Sequence, residues 1–456
     1  MTSLLQQFDE RPLAKVGPEL HRFAAELYPI CRSITGDGLR RTLRMIGDKV
    51  ALQIHEVPSG TEVFDWTVPK EWNVRDAYVK DAAGRRVVDL RQCSLHLLNY
   101  STPIHEKMPL NKLRDHLFTL PEYPDWVPYR TSYYKPAWGF CMTHRKMQAL
   151  TDGEYEVCID TTIEDGHLTY GECFLPGLSD KEVLISVHVC HPSLANDNLS
   201  GVSVATFLAQ LLFQKKLRYS YRFLFIPGTI GAITWLALNK DAVSRIRHGL
   251  VLTCVGDAGG FHYKKSRSGD VEIDRAVAHV LRHCGEQSEV LEFSPYGYDE
   301  RQYCSPGFNL PVGCLMRSVW GTFPEYHSSA DNLDLIEPMQ LARSLRVCVG
   351  AIDVLEKNVR YENLYPYGEP QLGKRDLYRF TGGESIGTEI NARLWVLNLS
   401  DGEHTLLDIA ERSGLPFETI SSAAELLYRS GLLSPIVESE PAKLEPEDTD
   451  HREIAK

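Results

Sequence analysis

Residues 183–190 read VLISVHVC and run on into HPSLANDNLSG at 191–201. The first run is apolar at both odd and even positions. A strand tolerates that only when both of its faces are covered, so the run predicts a buried strand of a largely parallel sheet. Where it ends stand His188 and His191, followed by Asn196, Asp197 and Asn198, and then Ser200 and Gly201 open a helical pattern. Imidazole and carboxylate on a rigid strand end are the ligands a transition metal takes at neutral pH. The same residues also make an ordinary polar loop, since a histidine at a strand end is more often structural than a ligand. The loop by itself does not decide between them.

Outward from that run, strand and helix patterns alternate: GVSVATFLAQLLFQKK (201–216) is helical, YRFLFIPG (221–228) a strand, AITWLALNK (232–240) a helix, GLVLTCVG (249–256) a strand and IDRAVAHVLRHC (273–284) a helix. Alternation of this kind predicts an α/β fold, with a mixed, mostly parallel sheet carrying helices on both faces. In such folds ligands sit beyond the carboxyl ends of the strands, where His188, His191, Gly228 and Asp257 fall. Upstream, ELHRFAAELYPI and GLRRTLRMIGDKVAL flank RSITGDG (32–38) and predict two helices joined by a turn. Short β-branched and aromatic runs punctuated by Pro and Gly then mark a small β-rich module at 61–130, inserted into a discontinuous domain of 16–60 and 131–365. Beyond the turn-rich PYGEPQLGK (366–374), residues 371–436 show three short helices with a Gly turn and an apolar finish, the pattern of a winged helix-turn-helix. Residues 437–456, rich in Glu, Pro and Asp, predict a disordered tail.

The 456 residues carry 43% hydrophobic and 24% charged side chains and a formal net charge of −12. That sign opposes attraction to nucleic acid or to an anionic membrane. Residues 371–436 themselves hold more Asp and Glu than Lys and Arg, so a docking role for the winged helix is preferred to DNA binding. Eleven cysteines without a CxxC pair, and an opening MTSLLQQFDERPLAKV without the apolar core of a signal peptide, predict reduced thiols and a cytoplasmic protein. No run reaches the roughly 20 apolar residues of a membrane helix. A homo-oligomer stays open.

Further candidate ligands end other elements. Asp257 closes GLVLTCVGD, Asp299 and Glu300 lie in YGYDERQYCSPGFNLPVG, and His327 sits in EYHSSADNLDLIEP. Each has a plainer role available: a loop cap for Asp257, a backbone hydrogen bond for His327, solvated charge for Asp299 and Glu300. Cys190 and Cys254, in strand runs, read best as small apolar residues, and the aromatic YRTSYYKPAWGF best as packing between modules. Together, a strand ending in His, DN-x-SG opening a helix, a later strand-end acid and a YH-S-x-x-D turn resemble the zinc aminopeptidases of the M28 clan. CRSITGDG, DWTVPKEW, LHLLNYS, PYRTSYY, WGFC, CHPSLANDNLSG and PEYHSSADNLD resemble more closely a bacterial aminopeptidase-like family with an inserted β-module and a C-terminal winged helix, over about Leu20 to Leu433.

The resemblance implies Asp197 as a carboxylate that binds or bridges metal, His327 as the closing imidazole and Asp257 as the strand-end carboxylate ligand. Either His188, by strand length, or His191, by the CHPS motif, supplies the first imidazole. The chain departs from the family at FLFIPGTIGAITWL, where Gly228 and Thr229 stand in place of the paired glutamates that supply a general base and a second metal's ligand. A positioned base contributes about 10²- to 10⁴-fold. The departure therefore predicts one Zn2+ ion rather than two, with Glu300 or Glu325 as substitute bases. The implied reaction is hydrolysis of an amide next to a free amine in a small peptide or aminoacylated small molecule. Two alternatives stand beside it: a pseudo-peptidase or binding module that has lost catalysis, and a biosynthetic enzyme acting on an aminoacylated metabolite.

Overall fold

The strand Glu182–His188 is buried at all seven positions and lies between Ser220–Ile226 and Ile246–Leu252, both parallel to it. The computed structural model describes residues 13–378 and 387–436. From one edge the eight-stranded sheet runs Gln53–Pro58, His167–Leu175, Ser220–Ile226, Glu182–His188, Ile246–Leu252, Val312–Met316, Phe261–Lys264 and Ser288–Leu291. Its four central strands are mutually parallel, and the strands that flank this block, His167–Leu175 and Phe261–Lys264, pair with it antiparallel. The fold is thus the mixed, mostly parallel α/β architecture that the strand–helix alternation predicts. The one charge in the central run, Glu182, is fully buried because Arg222 and Arg245 reach it at 2.6 and 2.7 Å.

The two N-terminal helices form over Leu13–Leu27 and Asp37–Gly47, and the helix after the histidine strand over Gly201–Leu212. Two boundaries differ from the sequence reading. The inserted sheet has the order Arg86–Asp89, Glu71–Lys80, Glu154–Glu164, Ile104–Pro109, so its longest strand lies beyond residue 130. The local pattern of 154–164 marks a half-buried strand but not its partner, and antiparallel pairing across some 80 residues leaves no local trace. Likewise Arg360–Asn363, assigned from sequence to the larger domain, pairs with Asp401–Thr405 and Leu433–Pro435.

The chain divides into two compact units between Glu356 and Lys357. In the second, helices Thr388–Leu399, Leu406–Ser413 and Phe417–Arg429 accompany a three-stranded sheet, as a winged helix requires. Thr405 and Asp408 cap the middle helix reciprocally, and Gly414 ends it at φ 70°, a left-handed conformation that glycine takes without strain. The tail reading for 437–456 lies outside the described residues. Among the described residues no helix is long and apolar enough to cross a membrane.

Candidate metal centre

His188 is the last residue of its strand, and the chain turns at Pro192 before an irregular helical turn, Ala195–Ser200, leads into the following helix. That turn points Asp197 back at the strand end. His188 Nε2 donates to Asp197 Oδ1 at 2.8 Å, and His327 Nε2 donates to Oδ2 at 2.9 Å from the far side of the sequence. His191 Nε2 lies 4.0 Å from the same Oδ2. The ligand atoms of His188, His191 and Asp197 all fall within 4.8 Å of one another. Zinc–nitrogen and zinc–oxygen bonds of about 2.0–2.2 Å leave neighbouring ligand atoms a little over 3 Å apart in a tetrahedron, so this set has the right chemistry and the right spread for one ion.

The electrostatics agree. Burial alone would raise Asp197, but the facing His191 and His188 and the hydrogen bonds from His188 and His327 outweigh it and hold the carboxyl well below the usual range. Burial holds His191 well below the ordinary imidazole value, hence neutral, which a ligand must be. Cys190 stays a thiol, pushed up to about 12 by burial, with Sγ near His191 Nδ1 at 3.6 Å and Gly228 O at 3.8 Å.

Residues around this core fix it. Asp331, the last residue of the YHSSAD motif, accepts from the backbone N–H groups of Asn196 and Asp197 at 2.6 and 3.0 Å and so sets the turn that aims Asp197. His327 adopts a left-handed backbone at φ 55°, which costs a residue with a β-carbon of order 1 kcal/mol. The 127–129 strap offsets this, since Tyr129 N–H donates to His327 O at 2.8 Å and Val127 N–H to Ser329 Oγ at 2.9 Å. The Tyr129 ring packs edge-on against both His191 and His327.

Not every candidate converges. Asp257 turns its carboxylate onto Asn196 Nδ2 at 2.7 Å and Ser318 Oγ at 2.6 Å, and so braces the metal-facing turn from behind. Glu300 is fully buried but ion-paired with Lys264 at 2.7 Å, whose ammonium also donates to Ser294 O and Tyr296 O. Glu325 is half-buried in the His327 turn and accepts from Ser328 through its backbone oxygen. Two residues that the sequence reading passed over, Tyr298 and Arg32, stand here instead, together with Asp299, which it offered as a candidate. Tyr298 donates to Asp197 Oδ2 at 2.6 Å. Arg32, fully buried, donates from Nε to His191 O at 2.9 Å. Asp299 is fully buried with neither oxygen hydrogen-bonded, and burial pushes it up to about 7.

Gly228, where the resemblance to the M28 aminopeptidases leads one to expect glutamate, is built into this geometry. A β-carbon on Gly228 would stand 3.0 Å from the His188 β-carbon and 3.5 Å from Asp299 Oδ1. Asp299 therefore fills the side of His188 on which a side chain at 228 would lie. A cavity of about 360 Å³ opens from His191, Gly228 and Tyr298, walled by Trp66, Tyr134 and Trp320 among others.

The fold is that of the M28-type zinc aminopeptidases. The structure of a zinc aminopeptidase from Bacillus subtilis shares the fold at 13% identity with a TM-score of 0.54, over 75% of this chain and 95% of that one. A family profile described as a domain of unknown function (DUF4910) matches residues 21–358, and the chain belongs to that family. A winged helix-turn-helix profile matches residues 359–435. A Clostridium acetobutylicum protein, named for polysaccharide biosynthesis and an aminopeptidase-like domain, is 52% identical over 421 residues, which make up 92% of this chain and 97% of that one. A crystal structure from the same organism, of a chain named only provisionally as a peptidase, superposes with a TM-score of 0.90 at 49% identity, covering 95% of this chain and all of that one.

Proposed function

We propose that the protein is a one-zinc amidohydrolase that cleaves an amide next to a free amine. His188 or His191, with Asp197 and His327, would hold the ion. The observation that carries this reading is Asp197: a buried carboxylate faced by three imidazoles and, among the described residues, ion-paired with no lysine or arginine. A zinc ion there would supply a Lewis acid and lower the pKa of a bound water from about 15.7 to about 7. The chain's own residues would do the rest. Tyr298 and Asp331 orient Asp197, and Asp299 is the carboxyl placed to take a proton on the side where Gly228 leaves no base. Glu300, tied to Lys264, suits that task less well. With Thr229 in place of a second glutamate and Asp257 turned onto Asn196 and Ser318, the residues favour one ion over two.

Protein purified without chelator is expected to carry about one zinc per chain, and Asp197→Asn and His327→Ala to lose it. Absence of zinc both on purification and on titration overturns the reading. A second reading, a biosynthetic amidohydrolase acting on an aminoacylated sugar-like metabolite, is favoured by the polysaccharide-biosynthesis name of the 52% identical relative and by the aromatic walls of the cavity. Turnover of aminoacyl amino sugars in preference to dipeptides distinguishes it.

A further inference from the structure

The cavity beside the metal-ligand cluster is lined largely by aromatic rings. Tyr298, Trp320 and Tyr326 come from the catalytic module, and Trp66 of the inserted module meets Tyr134 edge to face at 5.5 Å across its rim. Into this apolar surround projects one cation, Arg301, from the short helix Glu300–Tyr303. Its Nε is buried without a hydrogen-bond partner, and among the described residues no carboxylate stands within ion-pair distance of its guanidinium. Its neighbour Asp299 is near enough to feel its charge, but neither Asp299 oxygen is hydrogen-bonded. Arg222 and Arg317, which lie deeper in this unit, have found carboxylate partners, Arg222 in Glu172 and Glu182 and Arg317 in Glu286.

A guanidinium whose hydrogen-bonding capacity is left over in a partly dry, aromatic-walled cavity is satisfied by an anion that arrives with the ligand. We propose that Arg301 is a specificity residue that holds a carboxylate of the substrate. The substrate is then an amide with a free amine at the metal end, a flat or ring-shaped body against Trp66, Tyr134 and Trp320, and a carboxylate at the Arg301 end. A carboxylate fits better than a phosphate for two reasons. The fork geometry of one arginine matches two carboxylate oxygens, and the net charge of −12 disfavours a multiply charged ligand that only one cation receives. The amine end of this picture rests on the amidohydrolase reading; the carboxylate end is read by binding alone.

The test uses the full chain, as purified without chelator, and three probes that differ at one group: glycyl-4-aminobenzoate, glycyl-4-toluidide and glycyl-4-aminophenylphosphonate. Calorimetric titration at low ionic strength is expected to show the benzoate binding about tenfold or more tighter than the toluidide. Arg301→Met and Arg301→Gln erase that preference without weakening the toluidide, and Arg301→Lys keeps part of it. Two neutral variants are used so that a folding failure in one does not decide the result. Equal affinities in the native chain, a preference that survives both neutral variants, a phosphonate that binds more tightly than the benzoate, or no binding of any probe overturns the proposal. Zinc content and hydrolysis measured on the same sample separate the two claims. A carboxylate preference in protein that neither holds zinc nor cleaves amides leaves Arg301 standing and the amidohydrolase reading fallen.

Discussion

Asp299 and Glu300 are adjacent acids, both fully buried, and their fates differ because of one lysine. Lys264, on a strand some 35 positions upstream, neutralises Glu300, whereas Asp299 faces His188, Glu300 and Arg301 with no hydrogen bond to any of them. From sequence Glu300 and Glu325 are the candidate bases, and nothing in YGYDERQY tells which carboxylate the distant lysine takes. The consequence is measurable as stability. Burial raises Asp299 in the folded protein to about 7, above the roughly 3.9 of an unfolded chain, so between those values the native state holds a proton that the unfolded state has lost. Its contribution is therefore fully present at low pH, lost as pH rises from about 4 to about 7 at up to about 1.4 kcal/mol per unit, and level above that. In the presence of chelator, urea midpoints of native protein and Asp299→Asn are expected to agree near pH 4 and to separate by about 1–4 kcal/mol in favour of the variant at pH 8. The same variant is expected to lose about 10²- to 10⁴-fold in amide hydrolysis. Parallel pH profiles of stability, or unchanged turnover, remove Asp299 from this role.

At the scale of elements, the central strands were readable because covered faces make them apolar at every position, and their ends named His188 and Asp197 as neighbours of one site. The pairing of Glu154–Glu164 and the role of CRSITGDG were not readable, because both are contacts with segments far along the chain. That turn is a clamp. Arg32 donates to Leu27 O at 2.6 Å and to His191 O, its own carbonyl accepts from Asn99 Nδ2 at 3.0 Å, and Thr35 meets Tyr100 at 2.7 Å. It thereby ties the first helix and LHLLNYS to the CHPS turn, which explains three motifs by one set of bonds. Burial lowers the Arg32 guanidinium to about 10, so it remains a cation, solvated only by backbone oxygens. Arg32→Ala takes the side-chain donor from the His191 carbonyl, leaves Leu27 O with Ile30 N–H alone and opens a cavity, and chemical denaturation is expected to show a loss of about 2–5 kcal/mol. Zinc affinity is expected to fall about 10- to 100-fold in the same variant, as for other residues that orient a ligand from behind. A variant that loses stability while keeping native zinc affinity would make Arg32 a structural residue alone, and would point to His188 rather than His191 as the ligand.

On the scale of the whole molecule, the winged helix is where the function a fold suggests and the charge of the residues that build it diverge. Its helix-turn-helix is well formed: Leu406–Ser413, the Gly414 turn and Phe417–Arg429 follow one another as in DNA-reading modules. Phosphate contacts, however, require positive charge on the helix that enters the groove. Phe417–Arg429 carries Glu418 and Glu425, and its one basic residue, Arg429, is paired with Glu425 at 2.5 Å. The chain as a whole adds a net charge of −12 to this repulsion. The architecture was legible from three helical patterns and a glycine, and the sign of the charge was legible from composition, so here the sequence argued against the function its own fold suggests. A labelled duplex of roughly 30 base pairs, titrated with the full protein in about 50 mM salt, is expected to show no binding below about 1 µM, the tighter end of ordinary non-specific affinity. Submicromolar binding that weakens steeply with added salt would show that basic residues outside this helix reach the phosphate backbone, and the winged helix would then have to be read as a nucleic-acid module after all.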